Sequence, residues 1–211
     1  MTIRLSELFF SLQGEGPLVG FPTFFVRLYG CNLSCSWCDT PQARGGFPFE
    51  EKSIDEIISF WQENYPKIPY VAITGGEPLL QKESILLMRS FVAQGAKVLL
   101  ETNGSLSIRE VPQEVLIVMD VKTPSSGMVD FNLWENFKYL KKGDALKFVI
   151  ANREDFWWSL EIIDTYNLEE FTCFFSPAYS LFSPQELANL ILETRRPLRF
   201  QIQLHKFLGI K

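Results

Sequence analysis

The hydrophobic residues of the chain follow two patterns in turn, one typical of β-strands and one typical of α-helices. Runs rich in apolar, β-branched and aromatic residues predict strands, and runs with apolar residues every three or four positions predict helices. The predicted strands cover 22–30, 70–76, 97–104, 115–122, 145–151, 172–178 and 198–208. The predicted helices cover 53–65, 84–95, 131–143, 153–167 and 183–196. Ser53 and Glu56 form a capping-box sequence at the first helix, and Gly95 ends the second.

This order of elements predicts the fold class. Strands that alternate with helices indicate βαβ units around a parallel sheet. The chain has 211 residues, fewer than the roughly 250 of a complete eight-fold barrel. We therefore expect an α/β fold, an incomplete (β/α) barrel of mainly parallel strands, formed by a single domain over residues 1–211. The segment QARGGFPFEEK, residues 42–52, is interpreted as a loop and a candidate lid.

Unusual segments follow the predicted strands. They are GCNLSCSWCDT, TGGEP, ETNG, DVKTP and SPAYS. In such folds the chemistry takes place at the carboxyl ends of the strands, so we expect these segments to meet at one site.

Composition and charge then exclude several classes of function. A net charge of −5 and a pI of about 5.1 argue against nucleic-acid binding, which usually needs a basic face. The N-terminus, MTIRLSELFFSLQGEG, lacks the apolar stretch and cleavage site of a signal peptide, and no apolar stretch is long enough to span a membrane. We therefore expect a cytoplasmic protein without a membrane partner, whose thiols stay reduced.

Three of the four cysteines, Cys31, Cys35 and Cys38, fall within eight residues. In a reducing compartment this crowding favours metal ligation over disulfides. Three thiolates are one short of a closed zinc site or a fully ligated iron–sulfur cluster. On a 4Fe-4S cluster they leave one iron open to the amino and carboxylate groups of a small molecule. The alternatives are zinc bound by these cysteines together with His205, and three thiols without a metal.

The CxxxCxxC loop resembles that of the radical S-adenosylmethionine (SAM) superfamily, in which the cluster loop follows the first strand of a partial barrel. TGGEP, one βα unit later, is similar to the superfamily's Gly-Gly-Glu segment. Gly75 and Gly76 would let the backbone approach SAM closely, and the Glu77 carboxylate would accept from its ammonium group.

A narrower resemblance covers essentially the whole chain. SLQGEG, FVRLYGCNLSCSWCDT, TGGEPLLQ, ETNG, MDVKTP, LKFVIA and LHKFLGI resemble the 7-carboxy-7-deazaguanine synthase family of queuosine-precursor biosynthesis. The resemblance implies a carbon–nitrogen lyase that uses SAM catalytically and requires Mg2+. It would convert 6-carboxy-5,6,7,8-tetrahydropterin to 7-carboxy-7-deazaguanine with ring contraction and loss of ammonia. It also implies a flavodoxin or ferredoxin as electron donor, and a homodimer.

The resemblance also implies roles for individual residues. It gives the 4Fe-4S cluster to Cys31, Cys35 and Cys38, and Mg2+ to Thr40. The implied SAM-binding residues are Trp37, Cys38, Asp39, Gly76, Asp120, Val121, Lys122, Ser176, Pro177 and Ala178. The implied substrate-binding residues are Leu12, Gln13, Gly14, Glu15, Arg27, Thr74 and His205. No catalytic residue beyond the cofactor ligands is implied.

Some interpretations stay open at the level of the sequence. Arg27 suits a guanidinium fork for the substrate carboxylate, but an ordinary salt bridge explains it equally well without the resemblance. Thr40 is also a common residue for opening a turn before Pro41. A radical SAM activating enzyme, which acts on a partner protein, carries the same cysteine loop and is the alternative function. The part played by Lys211 is left undecided.

Overall fold

The computed structural model describes all 211 residues. Nine strands form one mixed sheet in the order β3-β1-β2-β4-β5-β6-β7-β8-β9. The strands are β1 Thr2–Leu12, β2 Pro22–Leu28, β3 Glu50–Ser53, β4 Tyr70–Gly75, β5 Lys97–Thr102, β6 Leu116–Val121, β7 Ala145–Ile150, β8 Thr172–Pro177 and β9 Arg199–Phe200. The α-helices are α1 Ile54–Asn64, α2 Glu83–Ala93, α3 Arg153–Thr165, α4 Pro184–Thr194 and α5 Leu204–Leu208.

The sheet from β2 onward is parallel, and it does not close. Every neighbouring pair from β2–β4 to β8–β9 runs in the same direction, whereas β3 and β9 are free edges. The chain segments between these strands supply α1 to α4. The predicted α/β fold with an incomplete barrel is therefore confirmed, as is the capping box of Ser53 and Glu56 at α1.

The sequence prediction missed two strands, β1 and β3. Both are antiparallel, since β1 pairs with β2 and with β3. A bulge between Leu5 and Glu7 changes which residues of β1 face the core: Leu5 is buried before it, and Leu8 packs on the core after it. This switch hides the period of two. β3 takes up the end of the segment 42–52, so the predicted loop ends at residue 49.

The predicted α-helix over 131–143 is wrong. The segment instead forms two 3₁₀ turns, Val129–Phe131 and Trp134–Tyr139. Apolar side chains recur there at every third position, at Trp134, Phe137 and Leu140, which matches three residues per turn rather than 3.6.

The predicted strand over 198–208 is also wrong for most of its length. Only Arg199–Phe200 pairs with β8. Farther on, the Leu204 N–H donates to the carbonyl of Gly14 at 3.1 Å, and the chain turns into the short helix α5. The contact with the loop after β1 replaces the pairing that a longer strand would make.

The two faces of the sheet are buried differently. One face and the helices α1 to α4 enclose a core of 34 buried residues. The other, concave face carries a small apolar cluster, which consists of Leu99, Val118, Ala145 and Phe174 with Leu18 packed against it. We call this cluster the floor, because the site described below lies above it. No helix of the structure combines the length and apolarity that crossing a membrane requires.

Candidate active site

A cavity of about 520 Å³ lies above the floor on the concave face. Successive side chains of a strand point to opposite faces, so residues two positions beyond the floor point into the cavity. On β5 to β8 these residues are Glu101, Asp120, Lys147 and Ser176. The loops after β2, β4 and β5 complete the lining. The volume falls within the range of about 300–1,000 Å³ that is usual for small-molecule sites.

All but three of the site residues expected from the sequence line this one cavity. Those that do are Leu12, Gln13, Gly14, Glu15, Arg27, Cys31, Cys35, Trp37, Cys38, Asp39, Thr40, Thr74, Gly76, Asp120, Lys122, Ser176, Ala178 and His205. The exceptions are Glu77, described below, and Val121 and Pro177, which are neighbours of lining residues along β6 and β8. Val121 belongs to the main core, because alternate side chains leave by the opposite face. The side chains of Val121 and Pro177 therefore alternate with side chains that face the cavity.

The cysteine loop is held against the segment that follows β6. Ser36 donates from its backbone N to the Ser126 carbonyl at 3.0 Å and from its hydroxyl to the Ser125 carbonyl at 2.7 Å. Cys31, Cys35 and Cys38 are free thiols, and burial raises the pKa of Cys31 and of Cys35.

The compact zinc site considered for these cysteines and His205 is not formed. No group of three or more His, Cys, Asp or Glu side chains is arranged to hold a single metal ion. His205 instead packs against the loop after β1, where a Cβ atom on Gly14 would lie 2.2 Å from its Nδ1.

Cys31 has two hydrogen-bond donors close to its sulfur. The Leu33 N lies 3.4 Å from Sγ, and the Asn103 Nδ2 lies 3.8 Å from it. The Asn103 Oδ1 accepts from the backbone N and the hydroxyl of Ser105, which directs the NH2 end of the amide toward the sulfur. Such donors stabilise negative charge on a metal-bound thiolate. Asn103 lies in the ETNG segment but is not among the site residues expected from the sequence.

Glu77 does not face the cavity, so the expected contact with a ligand ammonium group is wrong. Its side chain is fully buried, and its carboxylate accepts from the Leu79 N at 2.9 Å, the Thr102 hydroxyl at 2.9 Å and the Asn103 N at 2.7 Å. Burial raises its pKa. Glu77 thus joins the loops after β4 and β5. The loop after β4 also packs closely against the loop after β2. Glycine is required at position 76, because a Cβ there would lie 2.3 Å from the carbonyl oxygen of Gly30.

A buried charge network crosses the middle of the cavity. The Lys147 Nζ lies 2.9 Å from the Glu15 Oε2 and 3.1 Å from the Asp120 Oδ1. The second contact is an ion pair without hydrogen-bond alignment, because Asp120 Oδ1 has no hydrogen-bond partner. Lys122 binds the other oxygen of Asp120 at 2.8 Å, and its Nζ lies 5.7 Å from the centre of the Trp37 ring. Burial acts to lower the pKa of Lys147, but nearby carboxylates hold it well above its usual value.

A second charged group occupies the β1 side of the cavity. The Arg27 Nε donates to the Glu7 Oε1 at 3.0 Å. Arg27 therefore forms the ordinary salt bridge considered above, and this salt bridge uses only its Nε. The guanidinium carbon lies 5.3 Å from the centre of the Phe9 ring. Lys211 binds the other oxygen of Glu7 and also lines the cavity. Burial raises the pKa of Glu7, but Lys211 and Arg27 outweigh it and bring the pKa below its usual value.

Helix α5 and the residue before it bind the cysteine loop beside the cavity. Asp39 accepts from the Lys206 Nζ at 2.8 Å and from the Gln203 Nε2 at 2.9 Å. Burial acts to raise the pKa of Asp39, but Lys206 and Gln203 outweigh it and hold the pKa at about 2. Burial lowers the pKa of His205. Thr40 lines the cavity, and its hydroxyl does not cap the 3₁₀ turn Pro41–Ala43 that follows it.

Four buried polar atoms of the cavity have no hydrogen-bond partner in the protein: Glu15 Oε1, Trp37 Nε1, Asp120 Oδ1 and Ser176 Oγ. Buried polar atoms are paired in the great majority of cases, so such a group indicates a polar ligand. Three cysteines at one end and these unpaired atoms farther in fit an iron–sulfur cluster together with an amphiphilic organic cofactor.

Comparisons with known proteins agree with this arrangement. The Radical SAM superfamily matches residues 25–143. A 7-carboxy-7-deazaguanine synthase of Methanospirillum hungatei is 41% identical over 99% of this chain and 86% of its own length. One of Thermoplasma acidophilum is 37% identical over 97% of this chain and 96% of its own length. The crystal structure of QueE from Escherichia coli superimposes with a TM-score of 0.77, covers 97% of this chain and 95% of that one, and is 21% identical. That structural likeness supports the fold.

These relatives match nearly the full chain, and all of those named above are synthases rather than activating enzymes. The chain therefore belongs to the 7-carboxy-7-deazaguanine synthase family of radical SAM enzymes.

Proposed function

We propose that this enzyme converts 6-carboxy-5,6,7,8-tetrahydropterin to 7-carboxy-7-deazaguanine in a Mg2+-dependent ring contraction with loss of ammonia. The observation that carries the proposal is the sharing of one cavity by the cysteine loop, Arg27 and the unpaired oxygen of Glu15. A cofactor bound at the cysteines and a carboxylated, amine-bearing ring bound between Arg27 and Glu15 would be in direct contact.

Family membership implies a 4Fe-4S cluster and SAM. Cys31, Cys35 and Cys38 would hold the cluster, and the residues at the ends of β6 and β8, with Trp37, would hold SAM. When bound, the two supply the one-electron chemistry that removes a hydrogen atom from the substrate. The chain's own contribution is to orient the ligands and to exclude water.

The proposed pterin site is built on a pair of aromatic rings. Phe9 and Phe25 stack with ring centroids 4.7 Å apart and planes 5° from parallel, and both line the cavity. The Nη groups of Arg27 point to no protein acceptor and could form a fork with the substrate carboxylate. Thr40 supplies a hard oxygen, the kind of ligand that Mg2+ prefers.

Other features of the proposal concern the whole protein. We propose that residues 1–211 act as one domain, since one continuous sheet joins both ends of the chain. A flavodoxin or ferredoxin as electron donor, a homodimer and a product used for queuosine precursors follow from the family resemblance. Light scattering of the purified enzyme would test the dimer.

A direct experiment is turnover by anaerobically reconstituted enzyme. It is incubated with SAM, Mg2+, a chemical or flavodoxin reductant and 6-carboxytetrahydropterin, and 7-carboxy-7-deazaguanine is measured by mass spectrometry. We expect product in excess of the SAM consumed. SAM cleavage without any conversion of the pterin would contradict the proposed substrate.

A further inference from the structure

Lys147 is a cation that lines the cavity, and none of the roles assigned above uses it. It belongs to β7, where Ala145 of the floor precedes it and Val149 follows on the same face. Only 13% of its side chain is exposed. A lysine so deeply enclosed has to be paired, because an unpaired buried charge costs several kcal/mol.

The partners of Lys147 come from both halves of the proposed site. Glu15, at 2.9 Å, lies in the loop after β1, among the proposed substrate residues. Asp120, at 3.1 Å, lies at the end of β6, among the proposed SAM residues. Glu101 on β5 faces the same space and contributes to the field at both Lys147 and Glu15. β8 contributes the uncharged Ser176.

The ion pair with Lys147 uses only one of the two carboxylate oxygens of Glu15. Its Oε2 is bound to Lys147, whereas its Oε1 is buried and has no partner. An ionised carboxylate offers this free oxygen as an acceptor, but a protonated one can offer a donor instead. Burial raises the pKa of Glu15, the neighbouring carboxylates of Glu101 and Asp120 act in the same direction, and Lys147 is the charge that opposes the rise.

We propose that Lys147 is a positioning residue that keeps Glu15 ionised, with its free oxygen directed at an edge of N–H donors on the ligand. Such an edge belongs to the chemical class of 2-aminopyrimidinones and related amidine-like groups, which present neighbouring N–H donors. The inference rests on the proposed function, since the pterin is the ligand of this class that it supplies. Lys147 acts through Glu15 and needs no contact with the reacting atoms.

The test is the pH dependence of pterin binding. 6-Carboxytetrahydropterin is titrated calorimetrically into the reconstituted, SAM-loaded enzyme under anaerobic conditions, between about pH 6 and pH 9. The charged groups around Glu15 in this range are Lys147, Glu101 and Asp120, with Lys122 and Asp39 farther away. We expect the wild type to bind with little pH dependence, because the ion pair with Lys147 at 2.9 Å favours the ionised form of Glu15.

Lys147→Met keeps the length of the side chain but removes the charge. We expect binding to weaken by about tenfold near pH 7 and to recover as the pH rises, because Glu15 without its counter-ion titrates at higher pH. Glu15→Gln should weaken binding by a similar factor with no recovery. The double variant should bind no more weakly than Glu15→Gln alone, since Lys147 acts through Glu15.

A matched control is Lys141→Met. Lys141 is also paired with a buried carboxylate, that of Asp144 at 2.8 Å, but it does not line the cavity. This variant should bind the pterin like the wild type at every pH, even where its stability falls. If Lys147→Met is too unstable to study, the double variant, which lacks both charges of the pair, and Glu15→Gln still test the inference.

Two results would overturn the inference: wild-type affinity in Lys147→Met at every pH, or a loss that is independent of pH and additive with Glu15→Gln. Both are distinct from failure of the proposed function. If the wild-type enzyme did not bind the pterin at all, the proposed substrate would be wrong, and the inference would fall with it.

Discussion

At the scale of single residues, the cavity separates side chains that would hold the cofactors from those that would hold the substrate. The three thiols lie on the loop after β2, and Arg27 lies on β2 itself. Because these groups share no hydrogen bond, substitutions in one set should leave the other set working. Three predictions use this separation.

Cys35→Ala should abolish both the cluster and SAM cleavage, because two thiolates do not retain a 4Fe-4S cluster. Iron content and the absorbance shoulder near 400 nm measure the first loss, and formation of 5′-deoxyadenosine measures the second. Cys173→Ala is the matched control: Cys173 is buried outside the cavity, and burial raises its pKa to about 12. Full iron content in Cys35→Ala would remove Cys35 from the ligand set.

Arg27→Ala should spare the cluster and SAM cleavage without substrate, but should raise the KM for the pterin. Loss of a buried partner for the carboxylate costs roughly 2–5 kcal/mol. Glu7→Gln is the control, since it disrupts the same ion pair and keeps the guanidinium. If Glu7→Gln raised the KM as much as Arg27→Ala, the role of Arg27 would be to pair with Glu7 rather than to bind substrate.

Thr40→Val should leave the cluster and SAM binding intact but remove most of the stimulation of turnover by Mg2+. The substitution is nearly isosteric and removes the hard oxygen that Mg2+ requires. Thr40→Ser, which keeps that oxygen, should retain much of the stimulation. Turnover measured against Mg2+ concentration distinguishes the variants, and an unchanged Mg2+ dependence in Thr40→Val would place the ion elsewhere.

At the scale of elements, α5 and the loop after β1 depend on each other. The ring of His205 occupies the space beside Gly14 that a Cβ atom would fill, and the Leu204 N–H donates to the Gly14 carbonyl. α5 also holds the cysteine loop through Lys206 and Asp39. The contact at Gly14 therefore sets the position of one wall of the cavity.

Gly14→Ala should destabilise the protein by roughly 1–3 kcal/mol, the usual cost of overpacking. Urea unfolding measures this cost. The same substitution in a His205→Ala background should cost much less, because the truncated side chain leaves room for the added methyl group. Equal costs in the two backgrounds would show that the backbone at Gly14, rather than the packing of His205, requires glycine.

Strands and helices were predictable from the sequence where a single hydrophobic period continued along the whole element. The parallel strands β4 to β8 and the helices α1 to α4 follow directly from such runs. β1 was missed because its bulge changes the buried face partway along. The segment 198–208 does alternate like a strand, but its partner is a loop some 190 residues earlier in the sequence, and no local pattern carries that information.

At the scale of the molecule, the site was more predictable than its chemistry. The expected residues meet in one cavity because the carboxyl ends of parallel strands meet at one edge of the sheet. The charges between them were not foreseen. Lys147 stands out in retrospect as the single charged residue in the strand ALKFVI, but its partners belong to β6 and to the loop after β1, which only the folded chain brings together.

The buried core of 34 residues contains none of the three cysteines of the cluster loop, and that loop is fastened to its neighbour by Ser36. Because the core and the cluster loop are separate, the chain can fold before the cluster is inserted. Zinc fingers gain their folding free energy from the metal, whereas this chain draws its own from a core elsewhere. We therefore expect translation to yield a folded apoprotein that receives its cluster afterwards, and that survives oxidative loss of the cluster ready to be refilled.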